Sequence, residues 1–579
     1  MIKIIKFTLI FFLYSIPLNS AIVNEEISSK YDKIFSKSIL SNEDTINYRK
    51  IFIYQEDCKW KLANKYILKI NNKILIGHVL AQRYLHPKCY RSKFTELSSW
   101  LKKYNDLPQA KRIYRLAIKR MPEGYKRPVS PSKVLGVPSS NLKKKSSFKY
   151  KSSKKLSKNQ NAEKRKLINT IKSRVNKGWP TGALKALNQR DTKILLDQVE
   201  IDQQKELIAK GYFLANKNKL AIKYADEALL KSEKYVPYAN WTAGLASWKL
   251  QNFNKAAEYF TNFSILLKDD VWHQASGSFW AARAYEELNN YEEINFWIKR
   301  AAKNPNSFYG MLANKILGID KPIDWSSRIK KSNNQAYMLQ LPAVKRIQAL
   351  IQVGILSQIE NEIIKINSSM NKEVAMWSLE IAEHFNLAYT QLKIASKLSE
   401  YGVILPTKYF FPIPIWQPDG GFTIDPSLIY AFMHQESMFN TSAKSRRGAM
   451  GLMQILPSTA KFISSDKIVK RSNSSILKIP NINLKVGQEY IEYLLDLKIV
   501  DNNLIYLTAA YNGGPGNLKK WQENTNYLND PLLFMESIPS RETRWFMEKV
   551  LTKYWIYNNQ QGKDTISLEL LSLGKDPIY

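Results

Sequence analysis

A pattern of small and aromatic residues recurs at a fixed spacing, and few folds accommodate that. Ala246, Leu250, Asn252, Phe253 and Tyr259 return thirty-eight residues later as Ala284, Leu288, Asn290, Tyr291 and Trp297. A period of this length marks a supersecondary unit that buries its apolar face only against its neighbours. From about 165 to 400 the chain reads as helix after helix with short polar joints. Small residues at helix crossings with aromatics beside them predict paired helices stacked into an α-solenoid. The aromatics are assigned to core packing rather than to a ligand stripe.

At 579 residues, 44% of them hydrophobic, the chain is too long for one core, and roughly two to four domains are expected. Residues 21–125 read as a helical region, with Leu97, Trp100, Leu101, Tyr104, Ala110, Ile113, Tyr114 and Ala117 near helical spacing and a turn at Asn105-Asp106-Leu107-Pro108. Residues 126–165 read as a disordered basic linker: Lys126 to Asn161 holds eleven Lys/Arg and no acid, too little apolar surface to offset ordering entropy. It is either a solvated spacer or a tether to an anionic polymer. Residues 166–405 are the repeat domain. Pro406, Pro412, Pro414, Pro418 and Gly420-Gly421 mark an extended connection into a compact, mainly helical unit over 406–560. A polar tail, 561–579, is expected to follow.

The formal net charge is +37, from 87 Lys+Arg against 50 Asp+Glu. Such a balance favours anionic partners, although a Lys-, Ile- and Asn-rich composition would produce the same excess. The N-terminus narrows the choice. Lys3 and Lys6 precede an apolar run, Phe7 to Leu18, and Asn19, Ser20 and Ala21 follow. This is the plan of a secretory signal peptide over 1–20, with an uncleaved anchor as the alternative. The run is shorter than the ~20 residues that span a bilayer, so no stable membrane span is expected after cleavage. Export removes nucleic acid from the candidate partners, and the lack of a Cys near the cleavage point argues against a lipoprotein. Cys58 and Cys89 are the only cysteines; outside the cytoplasm one disulfide and two free thiols are both open readings. With no CxxC and five His, no metal site is expected.

The chemistry concentrates near the C-terminus. Asp425-Pro426 starts a helix in which Ile429, Phe432, Met433 and Glu436 follow the i, i+3, i+4, i+7 rule, placing Glu436 on the apolar face. Glu436 is the only carboxylate between Asp425 and Asp466. Desolvation and the C-terminal end of the helix dipole both raise a carboxyl pKa, as a general acid requires; a frayed surface glutamate is the alternative from position alone. Ser445, Gly448, Gly451 and Gln454 then supply close backbone and neutral hydrogen-bonding groups of the kind that orient sugars. Ala509-Ala510-Tyr511-Asn512 ends a later helix at a Gly-rich turn.

Together these residues carry a resemblance. Ile429 through Gln454, then Ala510-Tyr511-Asn512, Met535-Glu536-Ser537-Ile538-Pro539 and Glu542-Thr543-Arg544 resemble the catalytic domain of soluble lytic transglycosylases, goose-type lysozyme relatives that cleave the murein glycan. Phe308-Tyr309-Gly310-Met311-Leu312-Ala313 and the helical repeats resemble that family's superhelical domain; the basic 126–161 stretch departs from its plan. The resemblance implies a mainly α fold: an α-superhelical N-terminal region followed by a lysozyme-like α+β, mostly helical catalytic domain. It implies Glu436 as the catalytic acid/base, Ser445, Met453 and Gln454 along the glycan groove, Tyr511 beside the acid, and Asn512 as its neighbour. Glu536 matches a second acidic position in the cleft, with a buried glutamate near Arg541 or Arg544 as the competing reading. No metal or organic cofactor is expected. The expected partners are peptidoglycan glycan strands in the periplasm, and other envelope proteins stay open. With one local carboxylate, the expected product is a 1,6-anhydromuramoyl end. Hydrolysis of the same bond, or a glycan-binding scaffold without catalysis, are the alternatives.

Overall fold

The computed structural model describes residues 31, 35, 37–134, 136–137, 150–329, 335–369, 371–471 and 473–579. The expected export segment, 1–20, lies outside them. Among the described residues the fold is helical throughout, and the β pairing is confined to isolated bridges: Lys444 with Met450, Met450 with Ile455, and Asn503 with Ile578. Among these residues no helix is long and apolar enough to cross a membrane.

The chain forms two compact units, each drawn from two separate stretches: Met1–Lys145 with Arg328–Pro412, and Ser146–Ser327 with Ile413–Tyr579. This departs from the expected boundaries. The N-terminal helices do not stand alone, and the repeat domain does not run unbroken to 405.

In the first unit, Tyr48, Ile51, Leu75 and Val79 share one core with Ile347, Leu350, Ile351, Ile363 and Ile366. Polar contacts pin the two stretches together. The Ile39 and Leu40 amides donate to Gln352 Oε1 at 3.0 and 2.9 Å, and Arg49 donates to the Val353 and Gln352 carbonyls. Deeper, Arg346 bridges Glu362 at 2.7 Å and Asp106 at 3.0 Å, and His78 Nε2 meets Glu362 at 2.9 Å. Buried charges survive only when paired in this way. Cys58 and Cys89 form a disulfide, with Cα atoms 5.8 Å apart across a sequence separation of 31.

The second unit contains the repeats. Pro237–Lys249 pairs with Phe253–Leu266, and Val271–Glu287 with Tyr291–Ala302. The recurring Leu-x-Asn is a helix-to-helix joint. Gln251 and Asn289 turn the chain through the left-handed region (φ 55° and 56°), and the next residues, Asn252 and Asn290, cap the following helix by accepting from Lys255 and Glu293 backbone N–H groups. Ala246 and Ala284 are fully buried where helices cross, and Trp280 lies fully buried among Trp248, Phe260 and Trp241. Much of the aromatic excess is therefore packing, as expected.

The expected disordered linker is ordered where it is described, and the expected polar tail is part of the fold. Of the 126–165 span, residues 138–149 lie outside the described set, but Tyr150 donates to Asp197 at 2.9 Å and a helix starts at Lys158 behind a Ser157/Gln160 capping box. Composition missed this because the anchoring acid lies 47 residues away. The 561–579 stretch also folds back. Leu568 and Leu571 are buried in the Ile566–Ser572 helix, Trp555 Nε1 donates to Ser567 at 3.1 Å, and the Tyr579 hydroxyl accepts from the Asp425 amide at 2.7 Å.

Candidate active site

The Pro426–Ser437 helix starts on Asp425, whose side chain accepts from the Ser427 amide, with Pro426 at the first helical position. Leu428, Ile429, Phe432 and Met433 are fully buried, and the helix packs along Arg541–Gln560. It stops where Met438 and Phe439 turn left-handed (φ 52° and 65°). Glu436 sits in that last turn, half-buried. Burial, then the charge of Glu542, pushes its carboxyl pKa up to about 8, and among the described residues no cation or hydrogen-bond donor is a cause that opposes them. At neutral pH the group holds its proton.

Glu436 faces an open cleft of about 680 Å³, shared with Gln435, Asn512, Arg541, Glu542, Trp545 and Phe546. The cleft therefore holds two carboxylates. Glu542 is more than a hundred residues from Glu436 in sequence, so a local motif could not reveal it. Asn512 lines the cleft and is held by its Oδ1, which accepts from the Thr543 hydroxyl at 2.8 Å. That bond uses the one proton Thr543 has, so the Ser540 hydroxyl, also 2.8 Å away, donates to Thr543.

Tyr511 joins the cleft to the Gly451–Gln454 loop. Its ring lies 4.5 Å from Phe432 and stacks on Phe546, and its hydroxyl donates to the Met453 carbonyl at 2.7 Å. Burial and then the Glu436 charge hold its pKa well above the usual phenol value, so it stays a donor. The loop is pinned from behind by Asn483, which is fully buried. Its amide donates to the Met450 and Leu477 carbonyls at 3.0 and 2.8 Å and its oxygen accepts from the Met453 amide at 2.8 Å. At Gly451 (φ 78°) a Cβ would fall 2.1 Å from the Leu477 carbonyl, so only glycine fits. Asn483 carries no motif of its own and was not foreseen.

The remaining expected site residues are placed differently from one another. The Met453 side chain is 0% exposed and packs on Gly487, so its link to the cleft is its carbonyl rather than its thioether. Gln454 is half-buried in a left-handed turn (φ 47°), with Nε2 donating to the Gly451 carbonyl at 2.8 Å, which leaves its oxygen to serve as an acceptor. Ser445 is exposed in the bridged Lys444–Met450 loop, and its hydroxyl accepts from the Ala449 amide at 3.0 Å. Glu536 is not in the Glu436 cleft. It is 7% exposed and accepts from the Tyr309 hydroxyl at 2.7 Å. Arg544 attracts it but spends its hydrogen bonds on the Glu536 and Ile538 backbone carbonyls, at 3.1 and 3.0 Å.

Residues 415–534 match the family model described as the Transglycosylase SLT domain. This stretch of the chain is similar to a Transglycosylase SLT domain. Over 309 residues the chain is 27% identical to the soluble lytic murein transglycosylase of Salmonella typhimurium, covering 49% of this chain and 46% of that protein. It is 27% identical over 299 residues to the Escherichia coli protein of the same name, covering 47% and 44%. A putative soluble lytic murein transglycosylase of Haemophilus influenzae is 32% identical over 141 residues, 24% of this chain and 23% of that one. The matched stretch thus spans about half the length of the curated relatives, or less. The fold is also that of an inactive mutant of the lytic transglycosylase Slt from Pseudomonas aeruginosa, with a TM-score of 0.51 over 93% of this chain and 89% of that one, at 17% identity. The SLT match ends at residue 534, before Glu542 and the Arg541–Gln560 helix that completes the cleft.

Proposed function

We propose that this chain is a periplasmic lytic transglycosylase that cleaves the β-1,4 bond between N-acetylmuramic acid and N-acetylglucosamine in peptidoglycan and leaves 1,6-anhydromuramoyl ends. One observation carries the reading: Glu436 opens onto a cleft with its carboxyl pKa pushed up to about 8. The SLT domain and the names of the similar proteins support the substrate class.

The proton inventory closes on Glu436 alone. Its carboxylic acid protonates the glycosidic oxygen as the bond to the muramoyl anomeric carbon breaks, a contribution of roughly 10²–10⁴ in rate. The 2-acetamido oxygen of the muramoyl residue stabilises the positive charge that develops. Glu436, now a carboxylate, takes the proton of the same sugar's 6-hydroxyl as that oxygen attacks the anomeric carbon, which restores the acid. Gln454, Tyr511 and Asn512 position sugar and acid. Ser445 is exposed on the loop that leads to Gly451. Glu536 supports the fold behind it. The +37 charge attracts the carboxylates of peptide stems and holds the enzyme on its polymer in a salt-dependent way.

Glu542 favours a second reading. A second carboxylate in the cleft is what a hydrolase uses to activate water. Mass spectrometry of digested murein separates the two. Anhydromuramoyl products support the transglycosylase, and products heavier by one water, with no anhydro sugar, overturn it in favour of hydrolysis.

A further inference from the structure

A second cavity, of about 220 Å³, lies in the same unit between the solenoid helices and the Arg541–Gln560 helix. Arg541 and Trp545 line both this cavity and the Glu436 cleft, so the two spaces share a wall. Tyr238, Trp241 and Trp272 supply aromatic faces. The charged lining is three acids, Glu206, Glu536 and Glu548, and three cations, Lys210, Arg541 and Arg544, and the two sets differ in one respect.

Each acid is already engaged. Glu206 accepts from the Ala239 amide at 3.0 Å, Glu536 from the Tyr309 hydroxyl at 2.7 Å, and Glu548 from the Trp272 indole at 2.7 Å. The cations have no such contact partner. Among the described residues, neither Lys210 nor Arg541 forms a hydrogen bond or an ion pair, and Arg544 bonds only backbone carbonyls. Burial, then the charges of Arg544 and Arg541, pull the Lys210 pKa down to about 7 against the attraction of Glu536 and Glu206, and all three cations line the one cavity. Glu206 and Glu536 attract Lys210, and Glu536 and Glu548 attract Arg544, without touching them, so a carboxylate that reached these cations would add the charge-assisted contact they lack.

We infer that this cavity binds a carboxylate-bearing end of the glycan polymer, with the carboxylate against Lys210, Arg541 and Arg544 and the body of the ligand against the aromatic faces. The volume is below the ~300–1,000 Å³ of ordinary ligand pockets, so the occupant is a terminal fragment rather than a strand. Two sources share this chemistry: the free lactyl carboxylate of a muramoyl residue, and the carboxyl end of a peptide stem. The identity of the polymer rests on the proposed function. The cation cluster does not.

Calorimetry on the full chain carrying Glu436→Gln, which removes cleavage from the measurement, tests this with N-acetylmuramic acid, a short stem peptide with a free carboxyl end, and N-acetylglucosamine. At least one carboxylate probe should bind, and its amide or methyl ester should bind at least ~10-fold more weakly, about 1.4 kcal/mol. Lys210→Met should reproduce that loss and Lys210→Arg should restore binding, while N-acetylglucosamine stays indifferent to both. Dependence on the sugar acid assigns the lactyl group, and dependence on the peptide assigns the stem. Failure of both carboxylate probes to bind, or equal binding of an acid and its neutral derivative, overturns the inference; the second comparison needs no variant to fold. If Glu436→Gln still cleaves murein, the proposed function fails and the cavity's test still stands. If Glu436→Gln is inert but the probes ignore Lys210, only the cavity inference fails.

Discussion

Glu362 and Glu436 are two glutamates in helices of one chain, and their surroundings push them in opposite directions. Glu362 is 0% exposed in the first unit. Burial pushes its pKa up, but the His78 hydrogen bond and the Arg346 charge outweigh it, and the carboxyl lies below its ordinary value. Glu436 keeps more solvent, yet its pKa rises to about 8, because burial and Glu542 act in the same direction. Partners, not depth, decide which acid is structural and which is poised to give up a proton.

The comparison breaks most visibly in activity. Glu436→Gln should lower the rate of murein cleavage by roughly 10³-fold or more, measured by release of soluble muropeptides, with the melting temperature held or raised. Glu362→Ala should do the reverse. It removes one of the two carboxylates that Arg346 bridges and the partner of His78, so denaturant unfolding should show a loss of about 3 kcal/mol, while the cleavage rate per folded molecule stays unchanged.

The pH responses should also be opposite in sign. Folded Glu436 holds its proton up to about 8, against an ordinary value of 4.5. The folded state therefore binds more protons than the unfolded state between those values, and stability falls as pH rises through the window. Glu436→Gln removes this loss, so its advantage over the parent should grow from pH 4.5 to 8 and reach roughly 2 kcal/mol, less than the full 1.36 kcal/mol per unit because the group is partly solvated. The depressed pKa of Glu362 contributes stability that is present above 4.5 and is lost on acidification.

Smaller changes sharpen the same contrast. Tyr511→Phe leaves the Met453 carbonyl without its donor and should cost about 1–3 kcal/mol, with kcat lowered more than KM is raised. Glu542→Gln removes the like charge but not the burial, so the alkaline limb of the pH–rate profile should move down by less than about one unit.

What was legible from the residues was local or periodic. The thirty-eight-residue spacing located the solenoid joints because one asparagine caps each following helix. The i, i+3, i+4, i+7 face placed Glu436 because Ile429, Phe432 and Met433 are truly core. What escaped depends on contacts between distant segments. Glu542 enters the cleft from a helix beginning at Arg541. Asn483 pins the Gly451 loop from thirty residues downstream. Glu536 turns toward Tyr309 of the solenoid, a pairing across 227 residues that no local spacing encodes. The first unit closes over chain separations of about three hundred residues, so its boundary could not appear as a change of composition.

The claim that the cleft keeps Glu436 protonated at neutral pH is tested most directly by titrating its carboxyl carbon. The measurement is the ¹³C NMR difference between glutamate-labelled parent and Glu436→Gln protein. A midpoint near 8 is the predicted result. A midpoint near the ordinary 4.5 would mean that Glu436 is ionised at neutral pH and is not the proton donor.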